Sequence, residues 1–207
     1  SMRIGVNGDS LNVKKSYPLE ELLKRNVVVE LENIGDEDVK AFIISLLLVQ
    51  LSEIRMSQND SQNELRHLLL LEEAHRILKN IVGGTGENAD PRANAVEMFC
   101  NMLAELRSKG QGFVIIDQIP SKLAVDTIKN TNLKIVHRIV SEDDRTLIGN
   151  CMNMTNEQIA YLSTLDVGVA AVYTDGDIRP KLIKPKYVGE VELNERKDVT
   201  HDEVLHI

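Results

Sequence analysis

Four leucines followed by two glutamates form the most informative segment of this 207-residue sequence, Leu68-Leu69-Leu70-Leu71-Glu72-Glu73-Ala74-His75. The leucines do not alternate with polar residues, which predicts a strand buried on both faces, as in a central parallel strand. Two carboxylates follow where this strand ends, and open α/β sheets bind their ligands at that edge. A helix is expected to start near Glu73 and Ala74.

Neighbouring carboxylates at a strand end can divide two roles in nucleotide hydrolysis. Glu72 can hold a magnesium ion, directly or through water. Glu73 can orient and polarise the water that attacks a γ-phosphate. The same pair can instead be the acidic first turn of a following helix, where negative side chains favour the helix dipole. The segment by itself leaves both interpretations open.

The rest of the chain alternates strand and helix patterns. Apolar residues recur with a helical period from Asp38 to Arg55, and Asp36 is placed to cap that helix. Further helices are predicted after Pro18, at 93–108 with Gly110 as the end, at 125–129, after Ser141 and at 156–163, and strands at 27–31, 113–116, 133–140, 167–174 and 178–185. This alternation predicts an α/β domain with a mostly parallel sheet flanked by helices and a C-terminal β-hairpin.

Composition and charge limit the function classes. The chain is 43% hydrophobic but only 3% aromatic, so its core must consist mostly of leucine, isoleucine and valine. A formal net charge of -8 argues against a basic nucleic-acid-binding face, so any contact with DNA must be local or shared between subunits. The most apolar stretch, residues 41–51, is far shorter than the roughly 20 residues that span a bilayer. We therefore expect no transmembrane segment. Cys100 and Cys151 form no CxxC pair, which favours free thiols in a reducing, cytoplasmic location.

Four segments, in this order, resemble the HerA/FtsK superfamily of P-loop ATPases, close to its HerA-like and conjugative-transfer members. The leucine–glutamate segment is similar to the Walker B strand. Residues 112–123 resemble a strand that ends in a polar sensor glutamine before an Arg-Pro-Ser turn. Residues 130–139 are similar to an asparagine, strand and arginine segment, and residues 141–145 to an acidic helix start. The resemblance covers residues 27–185.

This resemblance implies a RecA-like P-loop NTPase core that is incomplete at its N-terminus. A Walker A loop needs Gly-Lys-Ser/Thr at the start of a helix, and no Gly-Lys pair occurs in the sequence. We therefore expect the Walker A strand and loop upstream of residue 1. On this interpretation residues 1–26 are a remnant or linker, residues 27–185 are the C-terminal part of the ATPase domain, and residues 186–207 are a charged tail.

The resemblance also implies roles for single residues. Gln118 takes the position of the γ-phosphate sensor, and Arg107 that of an arginine finger acting on a neighbouring subunit's nucleotide. Arg138 and Arg145 are further candidates for binding the nucleotide. Arg107 can equally be a helix C-terminal cation that complements the dipole. We interpret His75 as a hydrogen-bonded structural residue.

The implied function is that of a fragment of an ATP-driven DNA translocase or helicase. Its cofactors are ATP and Mg²⁺, and its partners are DNA, further copies in a hexameric ring, and a nuclease or secretion apparatus. Without Walker A, the chain alone is expected to be inactive. Two positions depart from the family pattern, since Glu72 replaces the usual Asp and Ile119 an Arg. Both departures favour the alternative, a degenerate, non-catalytic P-loop fold that serves assembly.

Overall fold

A computed structural model describes residues 18–58, 64–79, 91–186 and 204–206 of the chain. These residues fall into two compact units. The first unit contains the described residues up to 69, residues 105–112 and the C-terminal strand. The second contains the described residues of 70–104 and 113–186.

Helices and strands alternate along the described ranges, which confirms the α/β class. The helices are α1 (Leu19–Leu22), α2 (Glu37–Ser57), α3 (Pro91–Glu105), α4 (Val125–Asn130), α5 (Glu142–Cys151) and α6 (Asn156–Tyr161). The strands are β1 (Val28–Glu30), β2 (His67–Glu72), β3 (Gln111–Ile116), β4 (Leu133–Val136), β5 (Ala170–Thr174), β6 (Lys181–Ile183) and β7 (Val204–His206). Short 3₁₀ turns occupy Ala74–Arg76, Leu106–Lys109, Pro120–Lys122 and Leu162–Thr164.

The first unit is organised by α2. As predicted, Asp36 caps this helix, because its Oδ1 accepts the N–H of Asp38 at 2.8 Å and that of Val39 at 3.3 Å. The apolar face of α2 packs into a small core of aliphatic side chains, formed by Leu31, Ile34, Val39, Ile43 and Leu47. Strand β1 pairs in parallel with β7, so three residues of the segment expected to be a charged tail belong to a sheet.

The second unit has a larger core. Its fully buried large side chains include Phe99 of α3, Leu78 after the Ala74–Arg76 turn, Met152 directly after α5, and Leu162 and Leu165 after α6. Strands β4, β5 and β6 form an antiparallel sheet in that order, with Ile135 opposite Val172 and Ala171 opposite Leu182. The predicted C-terminal hairpin is therefore present as β5 and β6.

Strands β2 and β3 are neighbours in a two-stranded sheet, and they run in the same direction, since their starts lie together and the residues after their ends are in contact. Near their starts, a Cβ on Gly112 would lie 2.9 Å from the Leu68 side chain. After their ends, Gln118 contacts Glu73. The 3₁₀ turn after α3 ends at Gly110, as predicted, with φ 73°, where a Cβ would lie 2.3 Å from the Glu64 carbonyl oxygen. Only glycine fits this connection.

Three expectations about these elements are wrong. Strand β2 is not buried on both faces, since Leu68 is 45% and Leu70 56% exposed while Leu71 is buried. In the described part of the chain, β3 is the strand that pairs with β2, and Leu71 is the one buried residue of β2. The strand expected at 133–140 ends at Val136.

The third correction concerns the helix expected from Glu73 and Ala74. The chain makes a single 3₁₀ turn at Ala74–Arg76 and then forms a β-bridge between Lys79 and Leu123. Glu73 has φ 51° and ψ 44°, in the left-handed region, so it cannot begin a right-handed helix. The acidic-first-turn interpretation of Glu72 and Glu73 therefore fails.

No helix among the described residues is both long and apolar enough to cross a membrane.

Candidate active site

The turn after β2 puts Glu73 in a strained backbone conformation. The left-handed region costs an L-residue about 1–2 kcal/mol relative to the right-handed one. The turn is closed by the Arg76 N–H, which donates to the Glu73 carbonyl oxygen at 3.0 Å. Strain of this kind concentrates at functional sites, where surrounding contacts enforce it. Its effect here is to turn Glu73 away from the direction of β2 while Glu72 remains the last strand residue.

The structure brings Glu73 and Gln118 together. The Gln118 Nε2 donates to Glu73 Oε1 at 3.1 Å, and the His75 Nε2 lies 3.8 Å from Glu73 Oε2. The Glu73 side chain is 41% exposed, so the carboxylate stays open to water and to ligands. An amide that donates to the carboxylate can still accept from a water molecule through its own oxygen.

Asp117 is a part of this site that the sequence reasoning missed. Its side chain is only 4% exposed. Asp117 Oδ2 accepts the His75 N–H at 2.7 Å and faces His75 Nδ1 at 2.9 Å, while Oδ1 accepts the Ile119 N–H at 2.9 Å. One carboxylate thus joins the turn after β2 to the turn after β3. The available signal was its position as the first polar residue after an apolar strand, the same pattern that identified Glu72.

A second buried carboxylate fixes the segment that follows Gln118. Asp144 in the first turn of α5 is 6% exposed, and its Oδ1 accepts the Ser121 N–H at 2.8 Å. Burial raises the pKa of Asp144, but hydrogen bonds from Ser121 and Ser141 outweigh this effect and hold the pKa below its usual range. Asp144 therefore anchors the Pro120–Lys122 turn to α5.

The three candidate arginines lie in three different parts of the chain. Arg107 lies exposed in the first unit, on the 3₁₀ turn after α3. Arg138 lies beyond the end of β4 and is also exposed, so it is not the strand arginine that the sequence suggested. Arg145 donates through its Nη1 to the Val140 carbonyl oxygen, while its buried Nε has no hydrogen-bond partner among the described residues. No hydrogen bond in the described second unit joins Arg138 or Arg145 to Glu73 or Gln118.

Comparisons with known proteins bear on the fold. No family model and no curated protein sequence matches the chain. Among solved structures, the chain is similar to the genome packaging NTPase B204 from Sulfolobus turreted icosahedral virus 2 in complex with AMPPCP, with a TM-score of 0.57, 16% identity, and coverage of 84% of this chain and 73% of that one. B204, the DNA-packaging ATPase from Sulfolobus turreted icosahedral virus, matches with a TM-score of 0.54 and 16% identity, over 86% of this chain and 76% of that one. VirB4 of Thermoanaerobacter pseudethanolicus matches with a TM-score of 0.53 and 14% identity, over 76% of this chain and 40% of that one.

The chain shares its fold with these genome packaging and VirB4 proteins. At these identities the similarity concerns the fold alone. It confirms the architecture expected from the ordered segments of the sequence.

The carboxylates after β2 are oxygen donors of the kind that Mg²⁺ takes at nucleotide sites. No group of three or more His, Cys, Asp or Glu side chains in the described part of the chain can hold a metal by itself. Mg²⁺ at nucleotide sites keeps several waters and takes one or two protein carboxylates plus phosphate oxygens. The exposed carboxylate of Glu72 fits that requirement, and the Glu73 carboxylate is already engaged by Gln118.

Proposed function

We propose that this chain is the part of an ATP-driven DNA translocase of the HerA/FtsK type that carries the water-activating and phosphate-sensing residues. The observation that supports this most directly is the hydrogen bond from Gln118 to Glu73, between the ends of two neighbouring strands that run in the same direction. A polar pair at the carboxyl edge of such strands is where an α/β sheet binds its ligand.

The two glutamates have separate roles in this proposal. Glu72 holds Mg²⁺, which neutralises charge on the phosphates when bound. Glu73 accepts a hydrogen bond from the attacking water and polarises it. Its partial exposure leaves room for that water beside the oxygen that faces His75. Gln118 senses the γ-phosphate and holds Glu73 in position beside it.

The arginines act through assembly. Because Arg107 is exposed on the turn after α3, it is available to reach a nucleotide bound by a neighbouring copy as an arginine finger. Arg138 and Arg145 are weaker candidates for nucleotide contact, since Arg145 already bonds a backbone carbonyl oxygen in its own segment. A ring of copies, with six as the proposed number, supplies each site with the finger of the next subunit.

The nucleotide and polymer substrates are also part of the proposal. B204 is described as a genome packaging NTPase, and its complex with AMPPCP has this fold. We propose ATP as the nucleotide and DNA as the polymer, a cytoplasmic location, and a nuclease or secretion apparatus as the further partner. Because the 207 residues contain no Gly-Lys-Ser/Thr, the phosphate-binding loop is proposed to lie in a preceding segment of the gene product.

The decisive test is ATP turnover by the complete gene product and its E73Q variant. Glu73→Gln keeps the size and the hydrogen bond from Gln118 through its carbonyl oxygen, but it removes the base. Turnover should fall about 10²- to 10⁴-fold, in the range attributed to general-base catalysis, while the affinity for ATP stays within a few-fold. The 207-residue chain alone should show no turnover, since it lacks the lysine that clasps the phosphates.

Two outcomes would contradict the proposal. Equal turnover by wild type and E73Q would remove Glu73 from the chemistry. Failure of the complete gene product to bind ATP would instead favour a non-catalytic assembly module, an alternative that the replacement of the usual Asp by Glu72 also supports.

A further inference from the structure

Asp117 occupies a position that only a carboxylate satisfies. Its Oδ2 accepts the His75 N–H and also faces the His75 ring nitrogen Nδ1, while its Oδ1 accepts the Ile119 N–H. An asparagine has a single acceptor oxygen, so its NH₂ group would face either Ile119 or His75 as a second donor. A buried donor left without an acceptor is costly. The site is therefore built for a group that accepts on both oxygens.

We propose that Asp117 is a positioning residue for Glu73 and acts on it through His75. The inference rests on the proposed function, since it assigns a role toward the residue that polarises water. It differs from a purely structural role because it concerns the ring of His75 as well as the backbone of the turn.

The backbone part of the role follows from the contacts around the strained residue. The His75 N–H, two residues after Glu73, donates to Asp117 at 2.7 Å. This bond fixes the peptide plane just after the left-handed turn, which otherwise relaxes toward a right-handed conformation. Asp117 thereby keeps the Glu73 side chain at the end of β3, within reach of Gln118.

The ring part of the role follows from tautomer chemistry. A carboxylate can only accept, so the His75 Nδ1 facing Asp117 at 2.9 Å carries a proton. In the neutral ring, Nε2 is then without a proton and cannot donate to Glu73 Oε2, which lies 3.8 Å away. Asp117 in this way leaves Oε2 free to accept a hydrogen bond from water. Without Asp117, the ring is free to carry its proton on Nε2 and to occupy that oxygen.

The tautomer can be measured in the 207-residue chain without any nucleotide. Long-range ¹H–¹⁵N correlation spectra of the histidine rings distinguish the two nitrogens of neutral His75. We expect the Nδ1–H form in the wild type, together with the strong intraresidue amide–Hα NOE that a positive φ gives Glu73. A wild-type ring protonated on Nε2 instead overturns the proposal with no variant needed.

Variants separate positioning from general stability. D117A should shift neutral His75 toward the Nε2–H form and weaken the Glu73 NOE, and D117N should do so in part. The matched control is D144N, which removes another buried carboxylate of the second unit that accepts a backbone N–H. D144N should leave both signals unchanged. If D144N alters them as much as D117N does, or if D117A alters neither, Asp117 is not a positioning residue.

Kinetics on the complete gene product then test the functional part. Residues that orient metal ligands contribute about 10- to 100-fold to activity. Taking the same range for Asp117, D117N should lower kcat by that factor while KM for ATP stays within two-fold. An unchanged kcat, or a loss confined to KM, overturns the role. If the wild-type protein shows no ATP turnover at all, the proposed function fails, and the ring spectra still decide whether Asp117 sets the tautomer of His75.

Discussion

Two polar clusters in this protein are built from similar groups but differ in burial. The first gathers around the starts of β2 and β3, where Gln111 Oε1 accepts from Arg55 Nε at 3.2 Å and lies 2.9 Å from His67 Nδ1. Gln111 is 3% and Arg55 6% exposed. In the second cluster, after the ends of the strands, the glutamine and glutamate are open to solvent. A glutamine whose hydrogen bonds are completed inside the protein stabilises the fold, whereas an exposed pair beside a strained turn is available to a ligand.

The largest difference between the clusters should appear in catalysis. In the complete gene product, E73Q should lower turnover by about 10²- to 10⁴-fold and Q118A on the order of 10²-fold. Residues that act as a unit are strongly non-additive, so the double variant should be little slower than E73Q alone. Steady-state ATP hydrolysis measures all three.

The control for the E73Q, Q118A and double variants is Q111A from the buried cluster, with turnover expressed per folded molecule. It should match the wild type. Strictly additive losses in the E73Q/Q118A pair would show that the two side chains act separately.

The Q111A variant should give the next largest effect, a loss of stability. Q111A leaves the buried Arg55 guanidinium and the His67 ring without their shared acceptor, and a hydrogen bond to a charged group is worth about 1.5–3 kcal/mol. Q118A should change the free energy of unfolding by less than about 0.5 kcal/mol, as expected for an exposed side chain. Urea unfolding of the 207-residue chain compares the two. Equal losses would mean that the difference in burial has no energetic consequence.

The buried cluster should also determine how the stability of the fold depends on pH. Burial lowers the pKa of His67, the hydrogen bond with Gln111 opposes this, and the charge of Arg55 adds to the lowering, so the pKa lies below its usual value. The unfolded chain therefore binds a proton at higher pH than the folded chain does. Stability from neutral His67 is fully present above about pH 6.5 and is lost as the pH falls from there toward the folded-state pKa.

Replacing His67 with glutamine tests this directly. Urea unfolding between pH 8 and pH 5 should show a wild-type free energy of unfolding that declines below about pH 6.5 and an H67Q profile that is flatter over the same range. Identical slopes for the two proteins would assign the decline to other groups.

The smallest effect concerns the strained turn. Glu73 and Asn153 are the non-glycine residues with positive φ in the described chain, at 51° and 53°. E73G relieves the left-handed strain, which is about 1–2 kcal/mol, against an entropic cost of glycine of roughly 0.5–1 kcal/mol. E73G should therefore be slightly more stable than the wild type, and N153G should gain less, because Asn tolerates this region. A clear loss of stability in E73G would mean that the turn is not strained.

Sequence reasoning reached the elements that depend on local patterns. The helix capped by Asp36, the end of a helix at Gly110 and the hairpin of β5 and β6 each follow from a few neighbouring residues, and the structure has all three. The exposure of Leu68 and Leu70 was not predictable from the leucine run, because burial depends on which elements cover the sheet.

Only some residues of the site could be predicted from the sequence. Glu73 was identified by its place after an apolar segment and Gln118 by the resemblance to an ATPase family, but the left-handed conformation of Glu73 is imposed by tertiary contacts. Asp117 and Asp144 acquire their roles from partners 42 and 23 positions away. No local pattern encodes contacts of that range. They also explain why a three-residue turn replaces the expected helix.

The central claim is that Glu73 polarises water for ATP hydrolysis while contributing little to ATP binding. The most direct measurement is isothermal titration calorimetry of Mg²⁺·ATP with the complete gene product, wild type and E73Q, followed by single-turnover hydrolysis of the bound nucleotide. Both proteins should bind ATP with affinities within a few-fold of each other, and only the wild type should release phosphate at an appreciable rate. Absence of ATP binding by the wild type, or phosphate release by E73Q at the wild-type rate, would contradict the claim.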